Sequence, residues 1–300
     1  MGLELLHFLT TDKLRLPGLL YKPDKKTKVV AIYLHGNGTA SVVYSPFMNI
    51  LGKKLTENGI AFFPFNNRGA HLVKSLKKIQ NGVEERVVYG TAYELIKECI
   101  LDIDAAINLL ITKGFNKFFL IGESTGANKI VVYQNYKQKN PVSRYVLLSG
   151  GDDTGLYYKE YGDKLFKKVL NQCKEMIKKG KGTNLVPKYI SSYPMSYQSI
   201  YDTINPEGDY NIFPFNNDMN KLNLSKKPLF SEFAKMKKPT LVIYGDKDEY
   251  CYGDVKKCVS LLQASVSKKR NFTFKIVPGA DHGFTGKEEE LAKNIVEWLT

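Results

Sequence analysis

Lys117–Lys137 reads KFFLIGESTGANKIVVYQNYK, and this stretch decides the fold. KFFLI is a short apolar run of the kind that forms a buried strand, and ANKIVVYQNYK after it has the length and composition of a helix. Between them lies Gly122-Glu123-Ser124-Thr125-Gly126, a G-x-S-x-G pentapeptide. A serine on a sharp strand-to-helix turn holds strained backbone angles, and flanking glycines relieve the crowding around it. Such a turn lifts Oγ clear of the sheet. The helix behind it presents backbone N–H groups and a positive dipole end. Ser124 is therefore the candidate nucleophile.

The same strand–helix rhythm extends outward in both directions. Leu3–Leu9 and Leu14–Tyr21 read as opening strands, with Pro17 placing the second near an edge or a bulge. Val29–Leu34 (VVAIYL) is apolar throughout, as in a strand buried on both faces. Phe47–Glu57 is a helix closed by Asn58-Gly59, and Ile60–Phe65 is a strand. The basic stretch Arg68–Gly90 fits no assignment. Tyr93–Thr112 is amphipathic and helical, and Tyr145–Leu148 is a strand. Near the end, Leu241–Tyr244 and Phe272–Val277 are strands, and Gly253–Ser267 and Lys287–Leu299 are helices. Alternating units of this kind predict a mostly parallel sheet with helices on both faces. The rhythm breaks from residue 151 to 235, where aromatics crowd a proline-punctuated segment too long for a plain loop. The expectation is a core of residues 1–150 and 236–300 carrying an inserted cap at 151–235.

A neutral hydroxyl is a poor nucleophile. It needs an imidazole to take its proton and a carboxylate to fix that imidazole's tautomer. His282, in Pro278-Gly-Ala-Asp-His-Gly-Phe284, follows the last strand. Asp246 and Asp248, in Gly245-Asp-Lys-Asp-Glu249, follow the strand before it. Either carboxylate could be the acid, and motif position favours Asp248. His35-Gly36-Asn37-Gly38 follows VVAIYL. Its glycines allow the Asn37 amide to turn toward the site and, with the amide of Thr125, form an oxyanion hole. His35 precedes the serine and sits beside these donors, so it is read as a loop-ordering residue bordering the substrate and not as the base. Among the cap aromatics, Tyr193 and Tyr197 are candidates to line the pocket. The alternative is that these rings form the cap's own small core. All the chemistry-bearing residues follow the C-terminal ends of predicted parallel strands, the edge where open α/β sheets place their sites.

These motifs, over Val29–Ser149 and Thr240–Thr300, resemble the α/β-hydrolase superfamily. GESTG, PMSYQSIYD and GDYNIFPF in the cap, GDKDEY and PGADHGF are similar to a hydrolase family that includes fungal siderophore esterases. The resemblance implies ester hydrolysis with Ser124 as nucleophile, His282 as base and an aspartate after the penultimate strand as acid. This sequence departs from that pattern in two places. Glu123 stands where many relatives carry histidine, and Asp248 is followed by Glu-Tyr-Cys-Tyr where relatives place a proline.

Composition narrows the remaining classes. Hydrophobic residues make up 43% and charged residues 25%, as in a globular domain and unlike a disordered chain. No apolar run is long enough to span a bilayer. The net charge of +14 comes from lysine doublets spread along the chain, with only five arginines. A diffuse lysine coat reads as a solubilising surface more readily than as a nucleic-acid footprint, where arginine does most of the reading. Four cysteines without a CxxC pair, and Met1–Arg15 without a signal-peptide pattern, give the expectation of a cytoplasmic protein. No HExxH, GxxxxGK[ST] or paired CxxC is present, so no metal or organic cofactor is expected. The expected partner is a small-molecule ester, with no specific nucleic acid, and the oligomeric state is open. The catalytic residues do not separate an esterase from a peptidase or amidase. A lyase or ligand receptor on the same fold is the remaining alternative, and an unactivated serine would betray it.

Overall fold

Val29–Leu34 and Lys117–Glu123 lie side by side in parallel at the centre of a sheet, and their alternation feeds two cores. The computed structural model describes residues 2–38 and 40–300. In chain order the elements are β1 (Gly2–Leu9), β2 (Leu14–Lys22), β3 (Val29–Leu34), α1 (Pro46–Glu57), β4 (Ala61–Phe65), β5 (Lys74–Gln80), β6 (Val83–Tyr89) and α2 (Cys99–Thr112). There follow β7 (Lys117–Glu123), α3 (Thr125–Tyr136), β8 (Val142–Leu148), α4 (Asp153–Lys178), α5 (Tyr197–Ile204), α6 (Phe215–Met219) and α7 (Ser231–Ala234). The chain closes with β9 (Thr240–Gly245), α8 (Val255–Ser265), β10 (Phe272–Val277) and α9 (Glu288–Leu299). The sheet order is β10-β9-β8-β7-β3-β4-β2-β5-β6, with β1 beside β2. From β10 to β4 every pairing is parallel, and the pairings of β2 with β1, β4 and β5, and of β5 with β6, are antiparallel. This is the expected mostly parallel sheet, extended by an antiparallel flank.

Successive residues of a strand point to opposite faces. Val30, Ile32 and Leu34 of β3, with Phe118 and Leu120 of β7, pack on one side against α2, α3 and α8. Ala31 and Tyr33, with Phe119 and Ile121, pack on the other against α1 and α9. Burying both faces explains why these strands read as unbroken apolar runs.

Arg68–Gly90, unassigned from sequence, is now accounted for. Its second part is the β5–β6 hairpin, turned at Asn81 and Gly82, both with positive φ. Asn-Gly is the preferred pair for a turn needing left-handed angles at both centres. Arg68 is itself fully buried. Its guanidinium donates to Asp102 Oδ1 at 2.8 and 3.0 Å, and lies 3.0 Å from Asp12 and 3.2 Å from Glu98. The helix expected from Tyr93 starts later, with a single turn at Ile96–Glu98 leading into α2. Leu95, just before that turn, is extended (φ −108°, ψ 136°), and Glu94 forms a buried ion pair with Lys129 at 2.7 Å.

The segment expected as a cap packs in two ways. Phe166, Val169 and Cys173 of α4 form a small separate core with Ile190, Met195, Tyr197, Ile200 and Ile204. Tyr210, Phe213, Phe215, Phe230 and Phe233 instead join the core of the main sheet. The four cysteines are buried and form no disulfide. Among the described residues no helix is long and apolar enough to cross a membrane.

Candidate active site

Ser124 sits between the end of β7 and the start of α3 with φ 53° and ψ −126°, outside the basins that side chains prefer. The two motif glycines make this turn possible. A Cβ on Gly122 would lie 2.3 Å from the carbonyl oxygen of Gly126, and one on Gly126 would lie 2.2 Å from that of Leu34. Both glycines are therefore required by close backbone approach, the second because α3 crosses directly over the end of β3.

Two loops arrive at this turn from the last third of the chain. Ser124 Oγ lies 3.0 Å from His282 Nε2, and His282 Nδ1 lies 2.9 and 3.0 Å from the two carboxylate oxygens of Asp248. With its proton on Nδ1, the ring donates to Asp248 and accepts from the serine hydroxyl. Asp248 is buried, and its Oδ1 also accepts the Tyr250 amide at 3.0 Å. The Tyr250 ring meets His282 edge-on, with centroids 4.6 Å apart. Burial pushes the imidazolium toward its neutral form. The hydrogen bond and charge of Asp248, followed by the charges of Glu123 and Glu249, outweigh burial and hold His282 above the usual histidine range. Asp246 is turned away, its Oδ1 accepting the Gly279 amide at 2.6 Å and tying the β9 loop to the β10 loop.

His35 is buried beside the turn with its ring engaged at both nitrogens. Nδ1 donates to the Gly36 carbonyl at 2.7 Å, and Nε2 accepts the Asn67 amide at 3.3 Å. Burial brings its pKa down to about 3, so the ring is neutral. It orders the loop and also borders the cavity. Farther along, the Gly38 amide donates to Thr91 Oγ1 at 3.1 Å, and the Asn37 side chain donates to the Tyr210 hydroxyl. Thr125 opens α3, so its N–H belongs to the first turn, where no acceptor exists within the helix.

Ser124, Thr125, His35, Asn37 and His282 all line one cavity of about 560 Å³. Tyr193 and Tyr197 do not line it. Tyr197 is buried in the small α4–α5 core, and Tyr193 is exposed at 62%. Sequence reasoning missed Tyr33, Tyr44, Asp153, Leu156 and Tyr250 as cavity walls. It noted Glu123 only as an anomaly. That carboxylate accepts the Tyr33 hydroxyl inside the cavity, and burial raises its pKa. Among the described residues no group of His, Cys, Asp or Glu side chains is placed to hold a metal ion.

A mostly parallel sheet sandwiched between helices, with a serine on a strained turn after one of its central strands, defines the class: this is an α/β-hydrolase fold. The structure is similar to Est1E from Butyrivibrio proteoclasticus with ferulic acid bound, with a TM-score of 0.65, 13% identity and 97% of each chain covered. It is also similar to the esterase Pf2001 from Pyrococcus furiosus, with a TM-score of 0.58, 17% identity, and 99% of this chain and 92% of that one covered. An alpha-beta serine hydrolase homologue from Coxiella burnetii gives a TM-score of 0.55 at 15% identity, covering 99% and 97%. Identities this low speak to fold alone. Within that fold the chain belongs to the DUF1749 family, described as proteins of unknown function, whose model matches residues 68–300. No curated protein matches the chain.

Proposed function

We propose that this protein is a serine hydrolase that cleaves carboxylic esters through an acyl-enzyme. The observation that carries the reading is the unbroken chain from Ser124 Oγ to His282 to Asp248, with contacts of 3.0 and 2.9 Å, on a turn that aims the hydroxyl into a cavity. His282 takes the serine proton as Oγ attacks the acyl carbonyl. The imidazolium that forms is stabilised by Asp248, which accepts from Nδ1 throughout and is not itself protonated. The amides of Asn37 and Thr125 receive the oxyanion, and losing one such donor costs about 10²–10³ in rate. His282 then protonates the leaving alcohol, and water repeats the cycle on the acyl-enzyme. Helices α4 and α5 act as the cap. Asp153 and Leu156 of α4 reach the cavity wall, so this element takes part in selecting substrate together with the Tyr33, Tyr44 and Tyr250 side of the cavity.

Fluorophosphonate labelling and hydrolysis of p-nitrophenyl acetate test the reading. Both are expected in the wild-type protein and lost in Ser124→Ala. Turnover by pure Ser124→Ala protein, or a folded wild type that does not label, overturns it. Matched ester and amide substrates, with aryl esters included because Est1E binds ferulic acid, then place the preferred bond.

A further inference from the structure

We infer that Thr91, between β6 and α2, is a positioning residue for the oxyanion hole: its hydroxyl pins the Asn37–Gly38 peptide and thereby aims the Asn37 amide at the reacting carbonyl. The inference deepens the serine-hydrolase reading above and rests on it.

The loop that follows β3 reaches the nucleophile directly. A Cβ on Gly36 would stand 3.0 Å from Ser124 Cβ and 3.5 Å from its Oγ, and Gly36, Asn37 and Gly38 all line the cavity. In a trans peptide the N–H and C=O point in opposite directions. The two peptides flanking the Asn37 Cα therefore decide where its amide looks. The first is held at its carbonyl, since His35 Nδ1 donates to the Gly36 oxygen at 2.7 Å. That bond turns the Asn37 N–H away from the His35 ring. The second is held at its N–H, because Thr91 Oγ1 accepts the Gly38 amide at 3.1 Å. The same hydroxyl donates to the Gly69 carbonyl at 2.9 Å, with the Gly38 carbonyl at 3.1 Å as its alternative acceptor. Thr91 thus ties the loop after β3 to the loop after β4. It also occupies the Gly38 amide, which removes that group from competition with Asn37 as a donor to substrate.

Thr91 is itself fixed. It is buried, its N–H donates to the His71 carbonyl at 2.8 Å, and its carbonyl accepts the Ser199 hydroxyl of α5 at 2.9 Å. The bond to Gly38 is not needed to satisfy a buried polar group. The Gly69 carbonyl already takes the hydroxyl proton, and Asn37 and Gly38 are half-buried, where water can serve a free amide. What the bond adds is direction. An oxyanion hole works because its donors are aimed before charge develops, and a misplacement of about 1 Å by a remote change costs about 10²-fold in rate. Thr91 stands behind the loop and does not line the cavity, so it acts through Asn37.

Wild type, Thr91→Ser, Thr91→Val and Thr91→Ala, assayed with p-nitrophenyl acetate and inhibited by 1,1,1-trifluoro-2-hexanone, test this. In the ketone adduct Ser124 Oγ bonds to the carbonyl carbon and its proton passes to His282, which leaves an oxyanion in the hole. Thr91→Val keeps the shape of the side chain and loses the hydroxyl. It is expected to lower kcat/KM by about tenfold or more, short of the loss of about 10²–10³ for a deleted donor. The fall should lie mostly in kcat, since the interaction matures in the transition state, and the Ki of the ketone should rise by a similar factor. Thr91→Ser keeps the hydroxyl and should restore most of both. The acidic limb of kcat/KM should not move. A merely structural role would lower the active fraction and with it the apparent kcat, yet leave Ki, a property of the folded molecules, unmoved. Thr91→Ala carries the same expectation should the valine variant not fold. An unmoved Ki on loss of the hydroxyl overturns the inference, and so does a loss in Thr91→Ser as large as in Thr91→Val. A wild type that labels with fluorophosphonate while its variants keep the wild-type Ki refutes this inference and leaves the hydrolase reading intact, whereas a folded wild type that does not label removes both.

Discussion

Replacing Ser124 by glycine should give a more stable protein than replacing it by alanine. Both changes remove the same hydroxyl and the same hydrogen bond to His282, so that loss cancels between them. What differs is the backbone. At φ 53° and ψ −126° a residue with a Cβ is strained, and holding such a residue costs about 1–3 kcal/mol. Glycine escapes the strain but forfeits about 0.5–1 kcal/mol relative to alanine through its greater freedom in the unfolded chain. The difference comes to about 1 kcal/mol in favour of glycine, or about 2 °C in Tm for a chain of this size. At an ordinary helical position the order reverses. Lys53, exposed in the middle of α1, serves as the control, with Lys53→Gly expected about 1 kcal/mol less stable than Lys53→Ala. Thermal unfolding of the four variants, confirmed by urea titration, gives both differences. If Ser124→Ala matches or exceeds Ser124→Gly while the Lys53 pair behaves normally, the turn is not strained and this account of the motif is wrong.

Three further outcomes follow from the geometry. The reaction needs a neutral His282, so activity should rise with pH through a pKa above the usual histidine value; Glu123→Gln removes a charge that holds it up and should move the acidic limb of kcat/KM to lower pH. A limb that stays or climbs would refute that electrostatic assignment. His35 is neutral down to about pH 3 when folded but takes up a proton near 6.5 when unfolded. The unfolded state thus binds more protons between these values, and stability drains away as pH falls, by up to about 1.4 kcal/mol per unit. Denaturant midpoints at neutral and mildly acidic pH should therefore diverge less in His35→Gln than in wild type. Finally, Asp102→Asn leaves buried Arg68 short of its main counter-charge and should cost about 3–5 kcal/mol by urea titration, with much of the loss recovered in Arg68→Met/Asp102→Leu.

The parts of this molecule legible from sequence are those whose physics is local. The turn at Ser124 announces itself because two glycines, a strand and a helix are contiguous. VVAIYL is readable because burial on both faces erases polar alternation. The choice between Asp246 and Asp248 was not local. Two loops from neighbouring strands set their surroundings, and only the tertiary structure places Asp246 against the Gly279 amide and Asp248 against His282. The β5–β6 hairpin did carry a signal, Asn81-Gly82 between two seven-residue runs, but lysines and glutamates on an exposed edge hid the strand alternation. Tyr193 and Tyr197 lay beyond reach for another reason. Aromatic rings in an insertion look alike whether they face a substrate or one another, and here Tyr197 turns inward. Asp153 was equally hidden, because nothing in Gly151-Asp152-Asp153 says which of two adjacent aspartates caps the helix and which reaches the cavity wall.

The hydroxyl and the imidazole that meet at 3.0 Å are 158 residues apart along the chain. Under the proposed chemistry, reactivity is therefore a property of the finished molecule. A nascent or partly opened polypeptide offers only an ordinary serine, inert toward acylating reagents. Covalent tagging of this position thus amounts to a census of native copies, and the same reagent that reports catalysis can follow maturation and quality control in a crude extract.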